Sequence, residues 1–441
     1  MHSLVVNNSR SRARIAMRES VSPIKYILFG MLGAYLLVAA ASVSSGVSAN
    51  NSFAVLKYLR IALLLCCGAL SITWFRMPRM NSAGFGLLLL TSVYWFAGAW
   101  SSSPIWALAY KGLFFASVIA GACMACAIRN GSDLLAFCRS MTAAALVGLI
   151  LVLMIVMWEL GSAPIFVHGR LGIMGINANI LGQTASIYGV ISFFHWTIEK
   201  RDSWKWVSLS VFILMLLMVI LTGSRGALAL CCLGTAVQIP TISKQRRTQV
   251  ILYGIALVTM LAIGYFVVND TGGEVQFDNE SSSDQWEFRA RLWSEGLKDT
   301  RSGIWRYAIR LFTRNPLIGI GWLHYGKSWG TVQSSYLQVL VEAGMLGGIL
   351  CLVFLYKATT RMIMAVKRAR KSSDALSSLT FLCSGLLVAI LLHAGFESSA
   401  FVGTTPNSFL LSFCVFHLDM RMDMGRSQEV SRRVRKRRLT T

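Results

Sequence analysis

Hydrophobic runs of helical length alternate with short polar segments along nearly the whole chain. A helix needs a run of about 20 apolar residues to cross the hydrocarbon core of a bilayer. By this criterion the pattern predicts an all-α membrane protein with about twelve transmembrane helices. The predicted spans lie near 26–48, 53–74, 83–100, 105–128, 134–158, 180–198, 206–222, 226–240, 249–268, 336–357, 376–396 and 401–418.

The polar segments divide the chain further. The predicted parts are a basic N-terminus at 1–25, helices one to nine at 26–268, a long loop at 269–335, helices ten to twelve at 336–418, and a basic tail at 419–441. Lys and Arg cluster in alternate loops, and positively charged loops stay on the cytoplasmic side. Both termini are therefore expected to be cytoplasmic, and the long loop is expected on the outer side.

Composition agrees with a membrane protein, because 55% of the residues are hydrophobic and only 14% are charged. Soluble domains are typically about a quarter charged. Of the 42 Lys and Arg residues behind the net charge of +23, 13 lie in the two terminal segments, 1–25 and 419–441, that flank apolar spans. Topology and attraction to anionic lipid account for such charges, so membrane lipids are expected partners and nucleic acid is not.

The long loop changes character along its length. Its first part, 270–287, is acidic and rich in Gly and Ser, which indicates a flexible entry. Its second part mixes Trp and Arg at helical spacing, which favours amphipathic helices lying in the headgroup layer. Asn315 and Pro316 are predicted to end the second of these helices.

Several basic residues occur where topology does not require them. Arg170 and Arg225 lie on the predicted outer side, and Lys57, Arg60 and Lys111 lie in the outer halves of their spans. The last three either snorkel to the outer headgroups or line an outward-facing cavity with the two arginines. Arginine forks match phosphate oxygens in pairs, so such a cavity suits a phosphate-bearing lipid.

Metal-assisted chemistry has little support in the sequence. The short outer loops lack paired carboxylates, and the acidic stretch at 270–287 has no His or Cys nearby. Divalent cations prefer clustered oxygen ligands. We therefore expect no metal and no cofactor.

Four motifs resemble the bacterial O-antigen ligase and O-antigen polymerase superfamily. Residues 222–227 read Thr-Gly-Ser-Arg-Gly-Ala, and residues 175–179 read Gly-Ile-Asn-Ala-Asn where the family usually shows Asn-Pro-Asn. Arg301 and Trp305, followed by Asn-Pro-Leu-Ile-Gly-Ile-Gly at 315–321, are similar to the loop signature of that superfamily. Residues 336–347 resemble the segment that closes the loop.

The resemblance implies a membrane-embedded glycosyltransferase with a GT-C-like architecture in the bacterial inner membrane, active on the periplasmic face. The donor would be an undecaprenyl-pyrophosphate-linked glycan, and the acceptor would be another glycan or the lipid A-core. By motif, Arg225 and Arg301 would hold the donor pyrophosphate. The remaining residues of the expected site are the donor contacts Arg170, Arg289 and Arg291 and the cavity-lining Lys57, Arg60, Lys111, Asn177, Asn179, Ser224 and Tyr336.

One departure from the family pattern concerns the acceptor base. Ligases carry a His, then Asn, Ser or Gln, then nine residues and Gly-x-x-Gly; here Ser334 and 344–347 fit, but Gln333 stands at the His position. A glutamine amide does not accept a proton near neutral pH. His324 in the same loop is the best substitute, and His168 near Arg170 is the second.

Two alternatives remain open at this point. The missing His favours a repeat-unit polymerase of O-antigen or exopolysaccharide slightly over a ligase. A flippase for lipid-linked oligosaccharide would also need a cationic cavity, but it should carry charges through the full depth of the bundle and in two pseudo-symmetric halves. Here the predicted intramembrane charges lie in the outer half, and one long outer loop breaks any symmetry, which favours a one-sided enzyme.

Overall fold

The structure is a computed structural model, and it describes most of the hydrophobic part of the chain. The described residues are 21–43, 51–159, 166–167, 170–171, 178–239, 302–321, 332, 334–372, 375–395, 397, 401 and 405–440. The predicted span at 249–268 and most of the loop at 269–335 lie outside them.

The secondary-structure elements of the described part are helices, apart from one antiparallel ladder of two residue pairs between β1 (Phe166–Val167) and β2 (Arg170–Leu171). Short 3-10 turns at Ile72–Trp74 and Ala97–Trp100 extend two of the helices. The α-helices are α1 (Pro23–Val43), α2 (Asn51–Ser71), α3 (Ala83–Phe96), α4 (Pro104–Ala127), α5 (Gly131–Glu159), α6 (Ala178–Ile198), α7 (Asp202–Leu221), α8 (Arg225–Ala236), α9 (Ser302–Arg314), α10 (Ser335–Ala369), α11 (Ala375–Ala394) and α12 (Pro406–Thr440).

Six helices of the described part are long and apolar enough to cross a membrane, so the chain is a multi-pass membrane protein. They are Ala83–Trp100, Pro104–Ala127, Gly131–Met154, Asp202–Leu221, Ser335–Ala369 and Leu376–Ala394. Pro23–Val38, Tyr58–Trp74 and Arg225–Ala236 are apolar but shorter. The predicted count of about twelve spans is therefore matched only in part by this criterion. Two helices overrun their predicted spans, because α10 continues to Ala369 and α12 continues into the basic tail.

Close contacts between neighbouring helices show which helix termini lie together at each of two ends. Gly182 of α6 meets Ala227 of α8, and Gly189 of α6 meets Cys231 of α8, so these two helices run parallel. α11 runs antiparallel to α8, because its His393 meets Gly226. We call the end where α6, α8 and α10 begin the loop end. The other end carries most of the described inter-helix Lys and Arg, and we call it the basic end.

α10 is broken at Gly344, which has a φ of 64° and a non-helical ψ of −159°. Residues 315–321 fill this break with four backbone hydrogen bonds. Ile320 and Gly321 donate to the carbonyls of Val341 and Glu342, both at 3.0 Å. Met345 and Leu346 donate to the carbonyls of Pro316 and Leu317, at 2.8 and 3.4 Å. The break thus leaves none of these four groups of α10 unsatisfied, as buried backbone requires; we call this arrangement the joint.

The joint holds the amphipathic helix α9 against α10. α9 ends at Arg314, directly before Asn315 and Pro316, as the sequence predicted. Its inner face packs Ala308, Leu311 and Phe312 against residues of the α10 start. Its exposed arginines at 306, 310 and 314 recur every four residues and therefore share one face.

The basic end contains a buried clamp between α5, α6 and α7. Arg139 donates to both carboxylate oxygens of Glu199, at 2.8 and 2.9 Å. His195 also contacts this carboxylate at 3.1 Å, and the amides of Lys200 and Arg201 donate to it. Burial alone raises the pKa of Glu199, but these donors outweigh burial and lower the pKa to about 2.

We expect Glu199→Gln to lower the melting temperature at pH 7 by several degrees. Because the folded-state pKa is lowered from 4.5, the ionised carboxylate stabilises the fold above that value, and this contribution is lost as the pH falls towards 2. The difference in melting temperature between wild type and variant should therefore become smaller below about pH 4.5. Thermal unfolding in detergent at several pH values measures it, with the exposed Asp202→Asn as control. A gap that stays constant with pH would contradict this account.

Candidate functional site

Arg225 lies at the loop end, at the first position of α8, and its side chain is exposed. The preceding Ser224 caps the helix, because its Oγ accepts from the amide of Ala227 at 3.4 Å. A helix start carries unpaired amides and a partial positive charge, so an anion is favoured there. The guanidinium of Arg225 adds a full charge at the same place.

α6 begins beside α8. Gly182 packs so closely that a Cβ there would lie 2.6 Å from Oγ1 of Thr222 and 3.2 Å from Cβ of Ser224. Asn179 lies one turn nearer to the loop end on the same helix, and its Nδ2 donates to Oε1 of Glu397 at 3.4 Å. The close packing of Gly182 thus places the predicted site residue Asn179 near the start of α8.

α10 begins at the same place and is tied to the chain that follows α11. Ser334 caps α10, and the amide and hydroxyl of Ser335 both donate to the carbonyl of Glu397, at 3.2 and 2.8 Å. The hydroxyl of Tyr336 donates to the carbonyl of Leu391 at 2.5 Å. The starts of α6, α8 and α10 therefore converge around residues 393–397, and three helix starts in one region favour negative charge.

A buried polar chain runs beneath this region. Gln183 and His393 are joined through their Nε2 atoms at 3.0 Å, and Asn407 of α12 donates to Oε1 of Gln183 at 3.4 Å. A Cβ on Gly226 would lie 2.8 Å from the ring of His393. A larger residue would force the buried His393 ring to shift, so the glycine after Arg225 lets α8 approach α11 closely.

Lys111 of α4 is buried and forms an ion pair with Glu342 of α10, with Nζ 3.0 Å from Oε2. The same ammonium lies 3.9 Å from the ring centroid of Tyr94. The Tyr94 hydroxyl and the Gln338 amide donate to the two carboxylate oxygens, at 2.7 and 2.9 Å. Lys111 was predicted either to snorkel or to line a cavity, and this ion pair is a third environment that neither alternative included.

Some of the remaining predicted site residues lie within the described ranges, and the others lie outside them. Arg60 is half-buried near Tyr35 and Tyr110, and its Nε has no hydrogen-bond partner among the described residues. Lys57 lies on α2, and the backbone of Arg170 pairs with Val167 in the ladder. The predicted residues Asn177, Arg289, Arg291, Arg301, His324 and Gln333 lie outside the described residues, as does the second substitute base, His168.

Within the described ranges, no three His, Cys, Asp or Glu side chains are grouped closely enough to hold a metal ion. Among the described residues, the region around Arg225 instead offers one guanidinium, the backbone amides of helix starts and the Glu397 carboxylate. This set can bind an anion and accept a proton in one place.

Sequence reasoning missed Glu342, Glu397 and the polar chain under Arg225. Acidic residues are scarce in the chain, with 19 Asp and Glu against 42 Lys and Arg. An acid in an apolar helix is costly without a partner, so Glu342 between apolar neighbours was a usable signal. Glu397 likewise stands alone in a short segment between two apolar runs.

Comparison with known families gives one match. Residues 210–352 match a family described as O-antigen ligase. The matched segment includes α8 with Arg225, α9, the joint and the first half of α10. The match confirms the resemblance found in the motifs and supports the O-antigen ligase and polymerase superfamily for this chain. Comparison with curated proteins gives no match.

Proposed function

We propose that this chain, whose residues 210–352 match the O-antigen ligase family, is a metal-independent membrane glycosyltransferase. Its donor is an undecaprenyl-pyrophosphate-linked glycan, which it uses on the periplasmic face of the bacterial inner membrane. The observation that carries the proposal is Arg225 at the start of α8, where the starts of α6 and α10 also converge.

The orientation follows from the two ends of the helices. The basic end bears the Lys and Arg residues that the positive-inside rule assigns to the cytoplasm. The loop end, with Arg225, then faces the periplasm. We infer from this that both termini are cytoplasmic; in support, α1 starts at the basic end near Asp133 and α12 runs towards that end past Asp419.

The proposed chemistry assigns the donor pyrophosphate to Arg225, with Arg170 and Arg301 as further contacts and Arg289 and Arg291 as alternatives. The pyrophosphate is also the leaving group, so cations placed on it stabilise the charge that develops as the glycosidic bond breaks. The lipid tail stays in the bilayer while its head reaches the loop end. Ser224 and Asn179 contact the head group of the donor lipid, and Tyr336 supports the start of α10.

Two acceptors remain in competition. Gln333 at the position of the ligase His favours a polymerase slightly, since the group that marks ligases is missing. The alternative is a ligase, which attaches polymer to lipid A-core, and the match to the family described as O-antigen ligase is compatible with both. In both cases the donor side of the site is the same.

Arg225→Ala is expected to reduce glycan transfer about 100-fold or more, as loss of one preorganised electrostatic contact in a transition state does. Arg225→Lys should retain part of the activity, because a point charge replaces a planar fork. The measurement is glycan display on a gel, in a strain that lacks the gene and is complemented with each variant. Full complementation by Arg225→Ala would remove the pyrophosphate-binding role.

The matched control is Lys205→Ala, which changes a partly exposed cation at the basic end that pairs with Asp202. We expect it to complement fully. The uncomplemented strain also separates the two acceptors. Loss of long chains with single repeats on the lipid A-core identifies a polymerase, whereas long polymer on the lipid carrier and bare core identify a ligase.

A further inference from the structure

Glu397 lies where three helices of the candidate site meet. Its backbone carbonyl accepts from the amide and hydroxyl of Ser335, and its own amide donates to the carbonyl of His393 at 2.9 Å. These bonds fix the backbone of residue 397 at the junction of α10 and α11. The side chain is half-buried, so part of its surface remains accessible.

The carboxylate points to the predicted donor side. Asn179 donates to Oε1 of Glu397 at 3.4 Å, and Asn179 is one turn from Gly182, which packs on Ser224. His393, four residues before Glu397, touches Gly226. Two chains of contacts, one through Asn179 and Gly182 and one through His393, therefore link Glu397 to the start of α8, where Arg225 lies.

Glu397 is bonded to a residue that follows the position of the missing His closely in the chain. Gln333 precedes Ser334 and Ser335 in the chain, and Ser335 is bonded to Glu397. A glutamine amide cannot take a proton near neutral pH, whereas a carboxylate can. A base is needed here, because a sugar hydroxyl is a weak nucleophile until its proton is removed in the transition state.

We propose that Glu397 is the catalytic base that activates the acceptor hydroxyl, an inference that rests on the proposed transferase function. The acceptor oxygen forms a bond to the anomeric carbon of the donor as the bond from that carbon to the pyrophosphate oxygen breaks. The bonding electron pair leaves with the lipid pyrophosphate, beside Arg225. The hydroxyl proton moves to a carboxylate oxygen of Glu397. Asn179, by its hydrogen bond, positions that carboxylate.

The test uses the full chain, purified in detergent, and lipid-linked glycan extracted from a strain that lacks the gene. We expect Glu397→Gln to lower kcat about 100-fold or more, the usual contribution of a general base, with the KM for the donor within about threefold. The amide oxygen can still accept from Asn179, so the melting temperature should not change. Asp202→Asn, which alters an exposed carboxylate, is the control for loss of a negative charge.

A second variant separates catalysis from structure. Glu397→Ala leaves space for a small carboxylate, so added formate should restore part of its turnover, while Glu397→Gln should not respond. Loss of activity in both variants with a lowered melting temperature and no formate rescue would make the role structural and overturn the inference.

The remaining outcomes of the experiment also test the role of Glu397. If wild type consumes the extracted glycan and Glu397→Gln turns over at the same rate, Glu397 is not the base; His324→Ala in parallel shows whether that residue is. If wild type itself fails to consume the glycan, the proposed transferase function fails first, and the inference about Glu397 falls with it.

Discussion

Glu342→Gln is expected to lower the free energy of unfolding by about 3–5 kcal/mol, the usual cost of removing one partner from a buried ion pair. Lys111 and Glu342 are both almost completely buried, so the ammonium cannot turn to water for compensation. Whichever way the new amide turns, its nitrogen would also face a hydrogen-bond donor, either the Tyr94 hydroxyl or the Gln338 amide. Thermal and denaturant unfolding in detergent would measure the loss.

The double variant Lys111→Met with Glu342→Gln should recover most of this stability. Replacing a buried pair by neutral groups is often close to neutral, whereas breaking it is not. The two changes are therefore expected to be strongly non-additive, with a coupling of about 3 kcal/mol or more, at the upper end of the usual range. If Glu342→Gln alone melts like wild type, the ion pair does not contribute as described.

The same pair of variants separates structure from function for Lys111. A double variant that is stable and still transfers glycan shows that the lysine serves the fold alone. A stable double variant that has lost transfer shows that Lys111, Glu342 or both also act on the substrate.

The sequence was informative where one physical rule dominates. Apolar runs of bilayer length are required of any spanning helix, and helices occur at the predicted spans before residue 240 and after residue 335. The end of α9 was equally predictable, because proline excludes the preceding residue from a helix. The starts of α8 and α10 follow Ser224 and Ser334, which both act as caps.

What the sequence could not supply is the pairing between distant segments. Nothing local in the chain indicates that Lys111 meets Glu342, or that Glu397 meets Asn179, because these contacts depend on how helices pack. The span count also differs from the six clearly apolar long helices. Helices such as α6 contain polar residues that form hydrogen bonds within the protein. These residues lower the mean hydropathy of the helix below that of the six long apolar helices.

The break in α10 was hidden for the same reason. The run at 336–357 reads as one continuous apolar helix, and a glycine within it has a modest local cost. Only the segment at 315–321, bonded to both sides of the break, makes the left-handed backbone of Gly344 necessary. The two motif segments that resemble the family signature are thus one structural unit.

Gly344→Ala should therefore disrupt the joint and reduce the yield of folded protein severely. A positive φ combined with a ψ of −159° is essentially confined to glycine, and it costs a residue with a Cβ about 1–3 kcal/mol. The added Cβ would also lie 2.5 Å from the amide nitrogen of Gly319 and closer still to the carbonyl oxygen of Leu317, and both are backbone atoms that cannot turn aside. We expect a total loss of about 3 kcal/mol or more in unfolding free energy.

The control for this prediction lies on the neighbouring helix. A Cβ on Gly303 of α9 would meet no atom within 4 Å, so Gly303→Ala should be neutral or stabilising by up to about 1 kcal/mol. Gly319→Ala should reproduce the defect, since its Cβ would lie 2.5 Å from the carbonyl carbon of Glu342. Because both variants open the same joint, their combination should cost less than the sum of the two. Additive losses, or a Gly344→Ala protein that melts like Gly303→Ala, would show that the joint is not one unit.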